Sequence, residues 1–123
     1  MKLTKKTIED EEVYFENGVK KYVHSKNSTG YESWKEYDKN DNVIHSKDSD
    51  GSETWREFDK NNNLIHSKNS NGFEIWREFD KNDNRIYHKD SDGYEYWSDD
   101  HPKNPKNIDV EVDIEPFKFT TEE

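Results

Sequence analysis

The stretch that decides the fold is residues 45–65, which read HSKDSDGSETWREFDKNNNLI. The same unit recurs at 24–44 and 66–86, in part at 87–98, and in a degenerate copy at 14–23. Agreement of so many positions at one period of 21 residues indicates a tandem array of one supersecondary unit. The positions that keep this period are Trp34, Trp55, Trp76 and Trp97, then Gly30, Gly51, Gly72 and Gly93, and then Glu32, Glu53, Glu74 and Glu95.

Each unit contains two short runs typical of strands, separated by turn residues. The first run is 31–37, with equivalents at 52–58, 73–79 and 94–98, and the second is 43–47, with equivalents at 22–26, 64–68 and 85–89. Asp-Gly and Asn-Gly dipeptides favour a hairpin turn at one end of the unit, and Asn-rich segments such as 59–63 favour a turn at the other end, where Asn accepts a left-handed conformation. The sequence therefore predicts an all-β protein, an antiparallel meander of hairpins.

Strand alternation distributes the side chains over two faces of the sheet. Glu53, Trp55 and Glu57 fall on one face of their strand. If Asp50-Gly51 forms a two-residue type I′ turn, Ser46 lies opposite Trp55 and His45 lies opposite Arg56. Each face then carries one ring and one aliphatic side chain per unit, so we expect an extended single-layer or coiled sheet. In it the tryptophans would pack on Ile44, Ile65 and Ile86.

The composition limits the size of any core. Only 27% of the residues are hydrophobic and 39% are charged, with a net charge of −10. The aromatic residues, 14% of the chain, supply most of the apolar surface, and each ring buries about 150–250 Å² when it is enclosed. The sequence contains no cysteine. A thin structure stabilised by rings is therefore predicted in place of a thick globule.

The chain divides into an N-terminal lead-in at 1–13, the repeats at 14–98 and an acidic segment at 99–123. Lysines near the N-terminus are not followed by an apolar stretch, and no apolar run of membrane-spanning length occurs. From this we expect a cytoplasmic protein without a membrane segment, and a monomer.

A further pattern consists of an aromatic–aspartate pair, then an asparagine and then an isoleucine. It occurs at Tyr37-Asp38, Asn42 and Ile44, at Phe58-Asp59, Asn63 and Ile65, and at Phe79-Asp80, Asn84 and Ile86. It resembles the tyrosine–aspartate (YD) repeats of bacterial Rhs-type proteins over residues 14–98. The Trp and the His-Ser-Lys segment are not part of the YD core.

Short acidic relatives of YD repeats resemble immunity proteins of bacterial contact-dependent and polymorphic toxin systems. The resemblance implies an antitoxin that binds a cognate toxin, expected to be a basic nuclease, and blocks it by occlusion or by acidic mimicry of its substrate. It implies no catalytic residues.

The acidity is concentrated at the C-terminal end. Residues 87–123 hold eleven acidic and four basic side chains, which accounts for seven of the ten net negative charges. Within this part, residues 108–115 alternate strictly and predict a strand with Asp109, Glu111, Asp113 and Glu115 on one side. The strand would cap the last hairpin, or present an acidic surface to a basic partner; the two roles are compatible. A surface of this sign argues against direct nucleic-acid binding.

Metal, cofactor and catalytic sites are not expected. His24, His45 and His66 would lie two strands, about 9.5 Å, apart, too far to share an ion. The Asp-x-Asn-x-Asn turns lack the Gly and Glu that a calcium loop requires. Glutamate pairs flanking each Trp recur on an open surface, whereas enzymes need one enclosed site.

The predicted function is therefore protein binding, without enzymatic activity or cofactor. Its alternative is a cell-surface carbohydrate-binding or adhesive module, since Trp and Gly units of similar period occur in wall-binding repeats. The candidate partner-binding residues are Trp34, Trp55, Trp76, Trp97, Glu32, Glu53, Glu74, Glu95, Asp109, Glu111, Asp113 and Glu115.

Overall fold

The fold is a single open sheet of ten antiparallel strands. The computed structural model describes residues 2–109 and 111–112. The strands pair strictly in sequence order, so every connection is a hairpin. Their bounds are β1 Thr4–Ile8, β2 Glu11–Glu16, β3 Val19–Lys26, β4 Glu32–Tyr37, β5 Val43–Asp48, β6 Glu53–Phe58, β7 Leu64–Asn69, β8 Glu74–Phe79, β9 Arg85–Asp90 and β10 Glu95–Trp97. The predicted all-β meander is confirmed.

The sheet is one layer thick. Within the described residues each strand contacts only the strands next to it in sequence. Val13 and Val23, paired across β2 and β3, are the two buried apolar side chains of this part of the chain. Stability must therefore accumulate from cross-strand pairs, each contributing about 0.2–1 kcal/mol, and not from a central core.

The lead-in at 1–13 supplies a strand of its own. β1 pairs with β2, and all five residues of β1 are exposed. The sequence gives little sign of β1 because none of its side chains is enclosed and no apolar alternation is needed. Its two lysines, Lys5 and Lys6, suit a sheet edge, where charge discourages further pairing.

The turn at Asp48–Ser52 corrects the predicted register. The Asp48 amide donates to the Ser52 carbonyl and the Gly51 amide donates to the Asp48 carbonyl, so three residues form the loop. Gly51 has φ 86°, and Asp50 does not have positive φ, as a type I′ turn would require. This is the three-residue hairpin loop in which a glycine takes the left-handed position. The type I′ prediction was wrong by one residue.

The longer loop changes which side chains meet across β5 and β6. His45 pairs with Trp55 and Ser46 pairs with Thr54, whereas the two-residue turn predicted Ser46 opposite Trp55 and His45 opposite Arg56. A slip of one residue moves a strand's whole set of side chains to the other face. The histidines therefore share a face with the tryptophans.

The second turn type recurs at the opposite ends of the strands. In the loop 59–63 the Asp59 amide donates to the Asn63 carbonyl, and Asn62 has φ 66°. Asp41 and Asp83 occupy the same left-handed position in the flanking units. A β-bulge adjoins each of these loops: the pairing shifts between Glu57 and Phe58, at the end of the strand before the loop, and at the equivalent positions of the other units.

The described part of the C-terminal segment contains no strand. Residues 105–107 form a short 3₁₀ turn, and residues 108, 109, 111 and 112 are outside any strand. The rest of the strand predicted at 108–115, with Asp113 and Glu115, lies outside the described residues. Among the described residues, no helix has the length and apolar character needed to cross a bilayer.

Candidate partner-binding face

One face of the sheet carries all four tryptophans, and we call it the Trp face. From β4 to β10, the strand pairings place on it Trp34, Trp55, Trp76 and Trp97, together with His45, His66, Tyr87, Lys47, Lys68, Lys89, Glu32, Glu36, Glu53, Glu57, Glu74, Glu78 and Glu95. The predicted set of Trp and Glu residues at 32–97 is thus brought together on one surface. The structure adds the histidines to this surface, whereas the register predicted from a two-residue turn placed them on the other face.

Each tryptophan lies beside an aromatic ring of the preceding strand. The ring centroids of His24 and Trp34 are 4.0 Å apart with planes 11° from parallel. His45–Trp55 and His66–Trp76 stack at 5.5 and 5.8 Å. In the fourth unit, Tyr87 takes the place of histidine beside Trp97, with ring centroids 4.3 Å apart. Aromatic pairs of this kind add about 0.5–1.5 kcal/mol beyond area burial.

A glutamate on the next strand fixes the orientation of each of these rings. Nε2 of His45 lies 2.5 Å from Glu53, and Nε2 of His66 lies 2.6 Å from Glu74. Tyr87 donates its hydroxyl to Glu95 at 2.9 Å. Burial, followed by this carboxylate, raises the pKa of Tyr87 to about 12. One carboxylate oxygen of each of these glutamates is therefore already engaged in a contact within the sheet.

His24 lies between two carboxylates. Its Nδ1 is 2.9 Å from Glu12 and its Nε2 is 2.6 Å from Glu32. The hydrogen bond to Glu12 is the main influence that raises the pKa of His24, and burial only partly opposes it. The same hydrogen bond, with one from Lys5, lowers the pKa of Glu12. A protonated His24 thus links β2, β3 and β4.

Three of the tryptophans remain accessible. Trp34, Trp55 and Trp76 are 44%, 41% and 37% exposed although they stack on histidine. Trp97 is half-buried because His101 packs edge-on against it, with centroids 4.6 Å apart. A partner can therefore reach three rings spaced two strands apart, about 9.5 Å from one to the next.

The two faces differ in charge. On strands β4 to β10 the Trp face holds seven glutamates and three lysines, an excess of four negative side chains. The opposite face holds four basic side chains, Lys35, Arg56, Arg77 and Arg85, against Asp48 and Asp90. The acidity that the sequence places mainly near the C-terminus is thus also concentrated on the aromatic surface of the repeats.

The acidic turns use their carboxylates for backbone hydrogen bonds. Asp59 accepts from the amides of Asn61 and Asn63, each at 2.9 Å, and the hydrogen bond from Asn63 is the main influence that lowers the pKa of Asp59. The Asn63 side chain continues to Asp83 of the next turn at 2.8 Å. Among the described residues, no group of three or more His, Cys, Asp or Glu side chains is arranged so that it could hold a metal ion. Side-chain hydrogen bonds of this kind connect successive turns along the edge of the sheet.

The remaining predicted site residues are not on the Trp face strands. Asp109 and Glu111 are exposed and follow the 3₁₀ turn. His101 was not predicted, because its contact with Glu78 joins residues 23 positions apart through a chain reversal. Glu12 was not predicted either, since it falls in the lead-in at 1–13, before the first recognisable copy of the repeat. His24, His45 and His66 recur with the period of the tryptophans. This period, combined with a three-residue turn, would have placed them on the Trp face.

Comparison of the chain with protein-family models and with curated proteins finds no match. The function must therefore be inferred from the geometry of the Trp face and from the sequence resemblance.

Proposed function

We propose that this chain binds a basic protein on its Trp face, and that it acts in the cytoplasm as an immunity protein that neutralises a cognate bacterial toxin of the nuclease class. The observation that carries the proposal is the row of Trp34, Trp55 and Trp76, partly exposed and in register on the more acidic face of an open sheet. The resemblance to short acidic YD-repeat proteins supports the toxin as partner.

The physical basis is a combination of aromatic contacts and charge. Tryptophan dominates the binding energy of many protein interfaces because it buries a large rigid surface. An excess of carboxylates on the same face steers a basic protein toward those rings and accelerates association. A nuclease has a basic surface because it binds phosphates, so the Trp face would occlude that surface or take the place of its substrate.

The experiment is capture followed by protection. The tagged chain is incubated with lysate of its source cell, and captured proteins are identified by mass spectrometry. The Trp55→Ala/Trp76→Ala double variant should lose the specific partner, and Thr54→Ala, which changes the opposite face, should retain it. The captured protein is then expressed in a sensitive host with and without the chain. Lack of protection by the wild-type chain would refute the proposed role.

A carbohydrate ligand is the second candidate, favoured by the same regularly spaced, exposed tryptophans. Sugars stack on open aromatic faces, and rings about 9.5 Å apart could contact every second unit of an extended sugar chain. A glycan array with the wild-type chain and the Trp55→Ala/Trp76→Ala variant discriminates the two functions. Binding that depends on both rings would favour the carbohydrate, and an array without hits would remove it.

A further inference from the structure

The chain itself occupies one position on the Trp face. His101 is 6% exposed, and its Nε2 lies 3.0 Å from the Glu78 carboxylate. Its ring packs edge-on against Trp97 and lies 6.2 Å from the ring of Tyr87. The Lys103 amide donates to Nδ1, so Nε2 carries the proton that is donated to Glu78. A planar N–H donor thus fills a notch formed by Glu78, Tyr87 and Trp97.

The repeat reproduces this notch in the three preceding units. Each consists of a glutamate, the ring opposite it on the next strand and the tryptophan on the strand after that. We name each notch by its glutamate. The four sets are Glu12–His24–Trp34, Glu36–His45–Trp55, Glu57–His66–Trp76 and Glu78–Tyr87–Trp97.

The carboxylates of the four notches differ in how they are engaged. Glu12 lies 2.9 Å from His24 and accepts from Lys5 at 3.1 Å. Glu36 has the Lys21 ammonium at 3.6 Å. Glu78 is met by His101. Among the described residues, none donates a hydrogen bond to the Glu57 carboxylate. The nearest ring nitrogen, Nδ1 of His66, is 3.6 Å away, and the Glu57 side chain is 69% exposed.

We infer that the Glu57 notch binds an arginine side chain of the basic partner. The guanidinium lies between Glu57 and Trp76 and beside His66, as His101 lies between Glu78 and Trp97 and beside Tyr87. The inference rests on the proposed function and specifies the chemistry by which the partner is held. The notch opens into a depression of about 470 Å³, which Glu57, His66 and Trp76 help to line, large enough for a guanidinium group.

An arginine side chain can interact with both Glu57 and Trp76, which form the two sides of this notch. Its planar guanidinium forms paired hydrogen bonds with a carboxylate, and it packs favourably against the ring of tryptophan. With Nε2 of His66 donating to Glu74 at 2.6 Å, Nδ1 of the neutral ring is an acceptor and offers the guanidinium a further partner. The nearby Lys89 ammonium lies 6.0 Å from the Trp76 ring centroid and belongs to β9, on the side of Trp76 away from Glu57.

The test uses the full ¹⁵N-labelled chain and its four indole N–H signals. The probe is N-acetyl-arginine-N-methylamide, and N-acetyl-norleucine-N-methylamide is the uncharged control. We expect a saturable shift of the Trp76 indole with the arginine probe in the millimolar range, a smaller shift of Trp55, and none of Trp97. Glu57→Gln should weaken the Trp76 response by about fivefold or more, as loss of a charge-assisted hydrogen bond requires, and Glu36→Gln should leave it unchanged.

His101→Ala supplies the complementary test. It empties the Glu78 notch, so the Trp97 indole should begin to respond to the arginine probe, while an unchanged Trp76 response shows that the sheet remains folded. Equal shifts with the norleucine probe, no effect of Glu57→Gln, or a Trp97 response in the wild-type chain equal to that of Trp76 would each overturn the inference. The capture experiment does not depend on this result, so failure of the notch and failure of the proposed function are distinguishable.

Discussion

His24 and Trp34 form the closest of the three His–Trp stacks, with ring centroids 4.0 Å apart and planes 11° from parallel. His24 also differs from His45 and His66 in lying within 3 Å of two carboxylates, those of Glu12 and Glu32. The N-terminal part of the sheet is therefore the part in which a histidine charge is most strongly coupled to folding.

The first prediction concerns pH. The folded-state pKa of His24 is raised above its ordinary value of 6.5, so its contribution to stability is present below pH 6.5 and is lost as the pH rises through the folded pKa. The pKa of Glu12 is lowered from 4.5, so its contribution is lost at acid pH. Urea midpoints should therefore fall from pH 6.5 toward pH 8, and His24→Gln should flatten that slope. An identical slope in both proteins would contradict the assignment.

The second prediction concerns the Trp row. Trp55 is 41% exposed, so we expect Trp55→Ala to lower the free energy of unfolding by only about 1–2 kcal/mol, less than the ~3–5 kcal/mol of a buried ring. Partner affinity should fall by about 30-fold, the effect of an interface hot spot of ~2 kcal/mol. Urea denaturation and titration calorimetry measure the two effects. Thr54→Ala is the matched control, and equal affinity losses for the two variants would argue against binding through the Trp face.

The third prediction concerns the turn that fixes the register. At Gly51, with φ 86°, an added Cβ would meet no atom within 4 Å, so substitution costs only backbone strain. Gly51→Ala should lower the free energy of unfolding by about 1–2 kcal/mol, whereas Ser52→Ala, next to it in the chain, should change it little. Hydrogen exchange should show faster opening of β5 and β6 in the glycine variant. Uniform destabilisation of the whole sheet would instead indicate one cooperative unit.

The fourth prediction concerns acid unfolding. Hydrogen bonds from the Asn63 and Asn84 amides are the main influences that hold the pKa values of Asp59 and Asp80 below 3.8. A lowered folded-state pKa gives stability that is present above pH 3.8 and lost as the pH falls through the folded value. Asp59→Asn keeps an acceptor oxygen and should be milder at pH 7 than Asp59→Ala. Both should reduce the acid-dependent loss measured by circular dichroism between pH 4 and 2, and an unaltered acid transition would exclude these turns as its origin.

The fifth prediction concerns the length of the repeat. Deletion of residues 45–65 removes one whole unit and joins Ile44 to His66, so every remaining Trp keeps its histidine or tyrosine neighbour. This variant should fold, with a smaller urea m-value because less surface is exposed on unfolding. Deletion of residues 45–64, one residue fewer, reverses the faces beyond the junction and should lose the near-ultraviolet circular dichroism of the stacked rings. Equal behaviour of the two deletions would contradict the observed register.

The sequence predicts much of this fold because its unit is local. The strand runs predicted at 31–37 and 43–47 agree with β4 and β5 to within one residue at each end. The register was missed because Asp50-Gly51 suits a two-residue turn as well as the last two positions of a three-residue loop, and only the backbone shows that Asp48 begins the turn. The Trp row followed from periodicity alone, since a residue's spacing does not depend on the register.

The parts of the site that escaped prediction depend on contacts outside the repeat. The pairing of His101 with Glu78 requires the chain to reverse after β10, and neither residue type signals that reversal. The engagement of Glu12 by His24 depends on β2, whose unit departs from the pattern. Such contacts are set by where the array ends, which no single unit encodes.

The unequal charge of the two faces gives the sheet an electric moment directed through its thickness, from the carboxylate side toward the arginine side. In dilute salt this moment would turn the molecule in the field of an approaching polycation before any atoms touch, so the tryptophans arrive first. It also sets how two copies meet: front to back is attractive and front to front is repulsive. Added salt, which shortens the range of such fields, should therefore slow the encounter with a polycation and weaken stacking of the protein on itself.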